Sequence, residues 1–286
     1  MNLAFSHGEA EVFVPDGSDA IAALARTTHL GIGAHQDDLE IMAAHGIFSC
    51  LGREDAFFSG VVVCDGAGSS RAGRYAEKSD AELARIRRHE QRKAAVIGEY
   101  AAQVQLAFPS ASVKAVHGSE HEALLADLEK VLTLTRPRVL YTHNPADKHD
   151  THVAVMLRVV AACRRLPREA RPERIIGCEV WRDLDWLCDS DKVLMALDER
   201  EGLQAALLGV FDSQVSGGKR YDLATLGRRR AHATFSESHE SDRHTALVYG
   251  MDLTALLDSA TPKSLLVELI RRFQAEVNAR LERLGE

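Results

Sequence analysis

Short continuous runs of β-branched and apolar residues alternate with stretches of helical periodicity over the first 180 positions of the chain. "HLGIGA" (29–34), "FFSGVVVC" (57–64), "VQLAF" (104–108), "RVLYTH" (138–143) and "RIIGCEVW" (174–181) read as strands. The unbroken apolar run at 57–64 implies burial on both faces. Between the strands, helices are predicted near 38–51, 80–98, 119–135 and 151–165. The second of these sets Leu83, Ile86, Ala94 and Ile97 on one side. This alternation with short turns predicts an α/β fold: a mainly parallel sheet covered by helices on both faces. In such sheets ligands gather outside the carboxyl ends of the strands.

Beyond residue 182 the alternation loosens. "KVLMAL" (192–197) and "TALVYGM" (245–251) read as further strands with helices between them. The tail places Leu266, Leu269, Ile270, Phe273, Val277, Leu281 and Leu284 on one helical stripe, to pack on the body or on another subunit. No repeat, low-complexity segment or linker interrupts the chain. One domain over 1–286 is expected, with a core at about 28–182 and an elaboration at about 183–286.

Composition narrows the functional classes. With 45% hydrophobic and 27% charged residues the chain has an ordinary soluble balance. Its 35 basic and 42 acidic residues leave a net charge of −7, and no basic run is long enough to track a phosphate backbone. The cluster "RRRAH" (228–232) falls in a helical pattern and reads as a solvated face. No nucleic-acid partner is therefore expected. The five cysteines form no C-x-x-C pair and mostly lie in apolar runs, as buried free thiols do. The N-terminal stretch carries acids where a signal peptide needs a basic and then an apolar run, and no segment reaches membrane-span length. A cytoplasmic location is expected.

Two stretches carry chemistry. "GIGAHQDDLEIMAAHGI" (31–47) sets His35, Asp37 and Asp38 on the turn from a strand to a helix. "THNPADKHDTHVAV" (142–155) sets His149 and His152 three apart at a helix start, with Asp150 placed as N-cap. Taken singly, the aspartates read equally well as caps and the histidine pair as surface residues. Taken together at two strand ends, they supply the nitrogen and oxygen donors of a metal site. Two histidines and one carboxylate with an open fourth position is the usual ligand set of a catalytic zinc.

"AHQDDLE" resembles the Ala-His-Pro-Asp-Asp-x-Glu signature of the N-acetylglucosaminyl-phosphatidylinositol de-N-acetylase (PIG-L, LmbE-like) family, and "HDTH" resembles its His-Pro-Asp-His motif. "RRHEQRKAAVIG" (87–98) is similar to the family's Arg-x-x-Glu helix, with Arg87 and Glu90 in register. "CEVW" (178–181) and "DSQ" (212–214) resemble weaker downstream features. The resemblance spans about 28–235. It implies a Rossmann-like fold and zinc-dependent removal of an N-acetyl group from an amino sugar or its conjugate.

By motif position the resemblance makes His35, Asp38 and His152 the ligands of one Zn2+ per chain, though the same donors suit other divalent metals. It makes Asp37 the general base, His149 the group acting on the transition state, and Arg87 a substrate contact. Asp147 is a candidate to orient His149 through its ring, or a loop cap. Arg87 could equally pair with Glu90 on a helix surface. The loop "DGAGSSRAGR" (65–74) lacks a phosphate-binding glycine pattern and is expected to rim the pocket and close over substrate.

The chain departs from the family pattern in four places. Gln36 stands for the family proline, His45-Gly46 for two glycines, Thr151 for an aspartate, and Phe211 for a histidine. None removes a proposed ligand or the base. All bear on pocket shape, and so on the substrate. A small amino-sugar-type substrate and possible homo-oligomerisation complete the expectation. A catalytically silent binding protein, or an amidase acting on a larger conjugate, is the alternative.

Overall fold

The computed structural model describes residues 3–68 and 71–286. In chain order its strands are β1 (Glu11–Phe13), β2 (His29–Gly33), β3 (Phe58–Cys64), β4 (Ala102–Phe108), β5 (Val139–His143), β6 (Arg174–Cys178), β7 (Lys192–Ala196) and β8 (Leu247–Asp252). The helices preceding β5 are α1 (Ala20–Ala25), α2 (Asp38–Met42), α3 (Ala44–Cys50), α4 (Asp80–Ile97), α5 (Ser110–Lys114) and α6 (Ser119–Thr135). Those following it are α7 (Asp150–Arg165), α8 (Glu201–Gly209), α9 (Asp212–Val215), α10 (Tyr221–Phe235) and α11 (Pro262–Arg283).

All eight strands form one sheet in the order β1-β4-β3-β2-β5-β6-β8-β7. The five central strands, β4 to β6, are parallel, while β1 and β8 run antiparallel to their neighbours. This is the expected α/β, mainly parallel arrangement. The pleat divides the core. Leu30, Ile32, Val61, Leu140 and Ile175 face a layer that includes Leu24 of α1, Leu128 of α6 and Val155 of α7. Phe58, Val62, Tyr141 and Ile176 face Leu39, Ile47, Ala94 and Leu207 on α2, α3, α4 and α8. Every residue of β3 is buried, as its continuous apolar run requires.

Several elements differ from expectation for local reasons. The helix expected over 38–51 breaks at Ala43, whose φ of −105° and ψ of 17° leave helical space, giving α2 and α3. Strand β6 stops at Cys178 rather than 181, because the Glu179 side chain turns inward to accept from Leu184 N–H at 2.5 Å. The three-residue edge strand β1 and the short α1 carry too little periodicity to be seen beforehand. The C-terminal stripe buries only Leu269, with Leu265 and Leu266 packed partly on the core. Ile270, Phe273, Leu281 and Leu284 are exposed. Among the described residues no helix is long and apolar enough to cross a membrane.

Gly46 shows how tightly the α3 layer sits on the sheet. A Cβ there would lie 2.5 Å from the Tyr141 ring of β5. His45, beside it, places Nδ1 3.1 Å from the Tyr141 hydroxyl. The pair His45-Gly46 thus fits one aromatic side chain at both its face and its polar tip.

Candidate active site

Strand order reverses between β2 and β5, since β3 and β4 lie on one side of this pair and β6 on the other. The helices that follow β2 and β5 therefore pack on opposite faces of the sheet and leave between them the crevice where doubly wound folds bind ligands. The chain from β2 enters it through Ala34–Asp38, and the chain from β5 through His143–His152.

The turn after β2 is held in an unusual conformation. Asp37 has φ 84° and ψ −25°, left-handed space that aspartate tolerates better than most residues, and it still costs about 1–3 kcal/mol. It stands at the N-cap of α2, yet its carboxyl makes no capping hydrogen bond. Asp38 does not cap the helix either. Its Oδ2 accepts from His35 N–H at 2.6 Å, closing the turn. With no proline at position 36, the turn is tied from outside: Gln214 Nε2 of α9 donates to Gln36 O at 2.7 Å.

Three donor atoms converge beneath this turn. His35 Nδ1 lies 3.2 Å from His152 Nε2 and 3.4 Å from Asp38 Oδ2, and His152 Nε2 lies 3.5 Å from the same oxygen. Ligand atoms about 2.0–2.2 Å from a tetrahedral ion stand about 3.3–3.6 Å from one another. The triangle matches that spacing to within about 0.1 Å, and its N/N/O chemistry suits a divalent metal. It is the one cluster of three or more such side chains found among the described residues.

The surroundings shift the three donors differently: burial lowers the basicity of His35, but Asp38 and Cys64 more than compensate and hold its imidazole well above the usual range. Burial pushes the His152 imidazole down to about 4, against the pull of Asp38, so its ring nitrogen is free of a second proton at neutral pH. Burial opposes ionisation of Asp38, but His152 and His143 more than compensate and hold its carboxyl well below the usual range. Asp37 behaves oppositely: burial first, then the charge of Asp38, push it well up, while His35 and Arg87 pull it back. Two adjacent carboxylates are thus driven apart by environment.

His143, the last residue of β5, completes the floor. Its Nε2 accepts from Ala34 N–H at 2.9 Å and lies 3.4 Å from Asp38 Oδ2, while its ring stacks on His152 at 3.9 Å. Of the two readings open for Asp147, it takes the loop cap and does not reach the His149 ring. It accepts from His149 backbone N–H at 2.9 Å and from Trp181 N–H at 3.1 Å, and its Oδ1 lies 3.6 Å from His152 Nδ1. Asp150, expected as the cap of α7, is its first helical residue. His149 takes the cap position with an extended backbone. That leaves the half-buried His149 ring 5.1 Å from His35 and 4.6 Å from His152. Burial, then the neighbouring His35, lower its basicity.

Arg87 is buried rather than paired on a helix surface. It donates through Nη1 to Gly66 O at 2.6 Å and through Nε to Ser213 Oγ at 3.4 Å. Glu90 turns to α9 and accepts from Ser213 N–H at 2.8 Å and Ser213 Oγ at 2.6 Å. The stretch 212–214 thereby clamps α4 to the first motif. Phe211 is fully buried in the core.

All six side chains singled out from the sequence, His35, Asp37, Asp38, Arg87, His149 and His152, line one cleft of about 360 Å³. Gly68 of the glycine-rich loop lines it too, whereas Ser69 and Ser70 of that loop lie outside the described residues. Trp181, Gln214, Lys219 and Tyr221 complete the wall. Lys219 and Tyr221 had no local signal in the sequence, since they reach the cleft only through the return of the chain after β7.

Fold and site together define a Rossmann-like α/β protein with a candidate metal centre at its topological switch point. Residues 30–163 match the family described as PIG-L: GlcNAc-PI de-N-acetylase. The structure is similar to that of N,N'-diacetylchitobiose deacetylase from Pyrococcus horikoshii, with a TM-score of 0.62 and 18% identity over 82% of this chain and 87% of that one. It is similar to GalB, the 4-carboxy-2-hydroxymuconate hydratase from Pseudomonas putida, with a TM-score of 0.61 and 15% identity over 79% and 96%. A deacetylase of teicoplanin biosynthesis aligns with a TM-score of 0.53 and 14% identity over 79% and 98%. At these identities the likeness is one of fold. No curated protein sequence matches the chain.

Proposed function

We propose that the protein is a metal-dependent amide hydrolase that removes an N-acetyl or other N-acyl group from an amino sugar or its conjugate. The observation that carries this reading is the donor triangle of His35, Asp38 and His152 beside Asp37, a buried carboxylate that caps no helix. The PIG-L match and the deacetylases among the structural neighbours support the reaction class.

His35, Asp38 and His152 would hold one divalent ion, zinc being the usual occupant of such a set. Bound there, the ion would supply Lewis acidity toward the amide carbonyl and toward water. Asp37 takes a proton from the attacking water as the C–O bond forms, a task suited to a carboxylate whose basicity is raised by burial and by the neighbouring Asp38. His149 donates a hydrogen bond to the developing oxyanion. The C–N bond then breaks, and the proton held by Asp37 passes to the departing amine. Products are a free amine and a carboxylate. Arg87, fixed by Gly66 and Ser213, presents a cation near Asp37 for a substrate hydroxyl or acidic group.

A silent binding protein would gain nothing from holding Asp37 in left-handed space with its carboxyl uncapped. The experiment is metal analysis of gently purified protein together with amine release from a panel of N-acetylglucosaminides. Stoichiometric metal and amine release are expected. No bound metal, with neither activity nor thermal stabilisation on adding zinc, overturns the proposal. Expression in the cytoplasm is also proposed, on the free state of all five cysteines.

A further inference from the structure

A second cavity of about 320 Å³ adjoins the metal cleft, and Ile41, Val180, Trp181, Lys219 and Tyr221 line both. Its own remaining wall comes from α10 and the residue before it: Arg220, Ala224, Thr225 and Arg228. The floor is apolar and aromatic, with Trp181 and Tyr221 packed edge to face at 6.0 Å. The rim is cationic, and among the described residues no carboxylate lines the cavity. Arg220 is matched by Asp222 at 2.7 Å. Lys219 Nζ sits 4.5 Å above the Trp181 ring, and Arg228 Nη1 donates to Val180 O at 2.7 Å, so both charges stand at the junction of ring floor and cavity.

Trp181 connects the two spaces, since its ring also stacks toward His149 at 6.3 Å. A group bound in the second cavity is therefore continuous with whatever lies over the metal cleft. Together the two volumes exceed what one sugar ring fills and fall within the range of ligand pockets. Aromatic faces reward a flat ring, and unmatched cations at its edge reward an anion there. We propose that this cavity is a substrate subsite for a flat, ring-shaped substituent bearing an anionic group, carried on the amide substrate of the adjoining cleft. This rests on the hydrolase reading for its biological meaning, but binding of the isolated substituent does not require turnover.

The test titrates the intact protein with phenyl phosphate and 3-phenylpropionate as anionic ring probes, 3-phenylpropanamide as the neutral one, and octyl phosphate as an anion on a flexible chain. Both ring anions are expected to bind about tenfold more tightly than the amide, and more tightly than octyl phosphate. Ala224→Glu places a carboxylate on the exposed first turn of α10, where it suits the helix and leaves the fold intact. It is expected to bring the anion-to-amide preference down to about twofold or less. A preference for only one of the two anions assigns the subsite to a carboxylate or to a phosphate. Equal binding of amide and anions, tighter binding of octyl phosphate, or an unchanged preference in Ala224→Glu overturns the proposal. Selective ring-anion binding in a protein that hydrolyses no amide retains the subsite and removes the hydrolase reading.

Discussion

Asp37 and Asp38 are neighbours in the chain with opposite surroundings, and their substitution is expected to fail in different ways. Asp38 Oδ2 belongs to the donor triangle, so Asp38→Ala should lose most metal along with activity. Asp37→Ala should keep stoichiometric metal and lose about 10²–10⁴-fold in turnover, the usual cost of removing a general base. His152→Ala should follow Asp38→Ala, and His149→Ala should follow Asp37→Ala. Metal content measured beside kcat separates the pairs, and equal metal loss in all four variants would refute the division of roles. His143 provides a second check at this scale. His143→Phe keeps a flat ring against His152 but removes the nitrogen that accepts from Ala34 and faces Asp38. Metal affinity is expected to fall about 10–100-fold, as for other partners of metal ligands. Competition with a chelator measures it, and unchanged affinity would show that Asp38 needs no help from this ring.

At the scale of elements, the site depends on how closely α2 and α3 approach the sheet. Gly46 permits that approach because the Tyr141 ring occupies the space of a Cβ. Gly46→Ala gains up to about 1 kcal/mol in helix propensity but must push that ring or the helix aside. Overpacking of this kind costs about 1–3 kcal/mol, so net destabilisation is expected and denaturant unfolding measures it. An Ala variant as stable as the parent would show that the layer can move. The short α9 works differently, through hydrogen bonds rather than packing. Its Gln214 holds the carbonyl of Gln36 and its Ser213 holds Glu90, so a four-residue helix joins the first motif to α4. Proline is absent from position 36, and a bond from a distant element restrains the turn instead.

Over the whole molecule, stability is concentrated in the two layers around the sheet and thins toward the C-terminus. Residues 278–286 are all exposed, beyond the last partly buried position at Val277. A chain ending at Val277 should therefore lose less than about 1 kcal/mol, a Tm shift of a few degrees at most. Calorimetry tests this, and a larger loss would mean that Leu281 and Leu284, at the end of the exposed stripe, are covered in solution.

The alternation of strands and helices was legible in the residues alone, and so were the six side chains that now meet in one cleft. Continuous apolar runs, helical spacing and two compact motifs are local signals, and the parallel α/β arrangement follows from their order. His35 and Asp38 sit on the same turn, and His149 and His152 on another, so each half of the site was legible alone. Tertiary structure decided the rest. The meeting of the two halves needed β2 and β5 to lie side by side at the reversal of strand order. Asp147 turned to the His152 ring and the loop backbone, and His143 to Asp38, because packing set directions that spacing does not encode. Lys219 and Tyr221 entered the cleft from more than 60 positions beyond His152, through a chain return that leaves no periodic signature. The exposed end of α11 shows the converse: an amphipathic pattern specifies a face able to be buried, and only the folded chain shows how little of that face its own core covers.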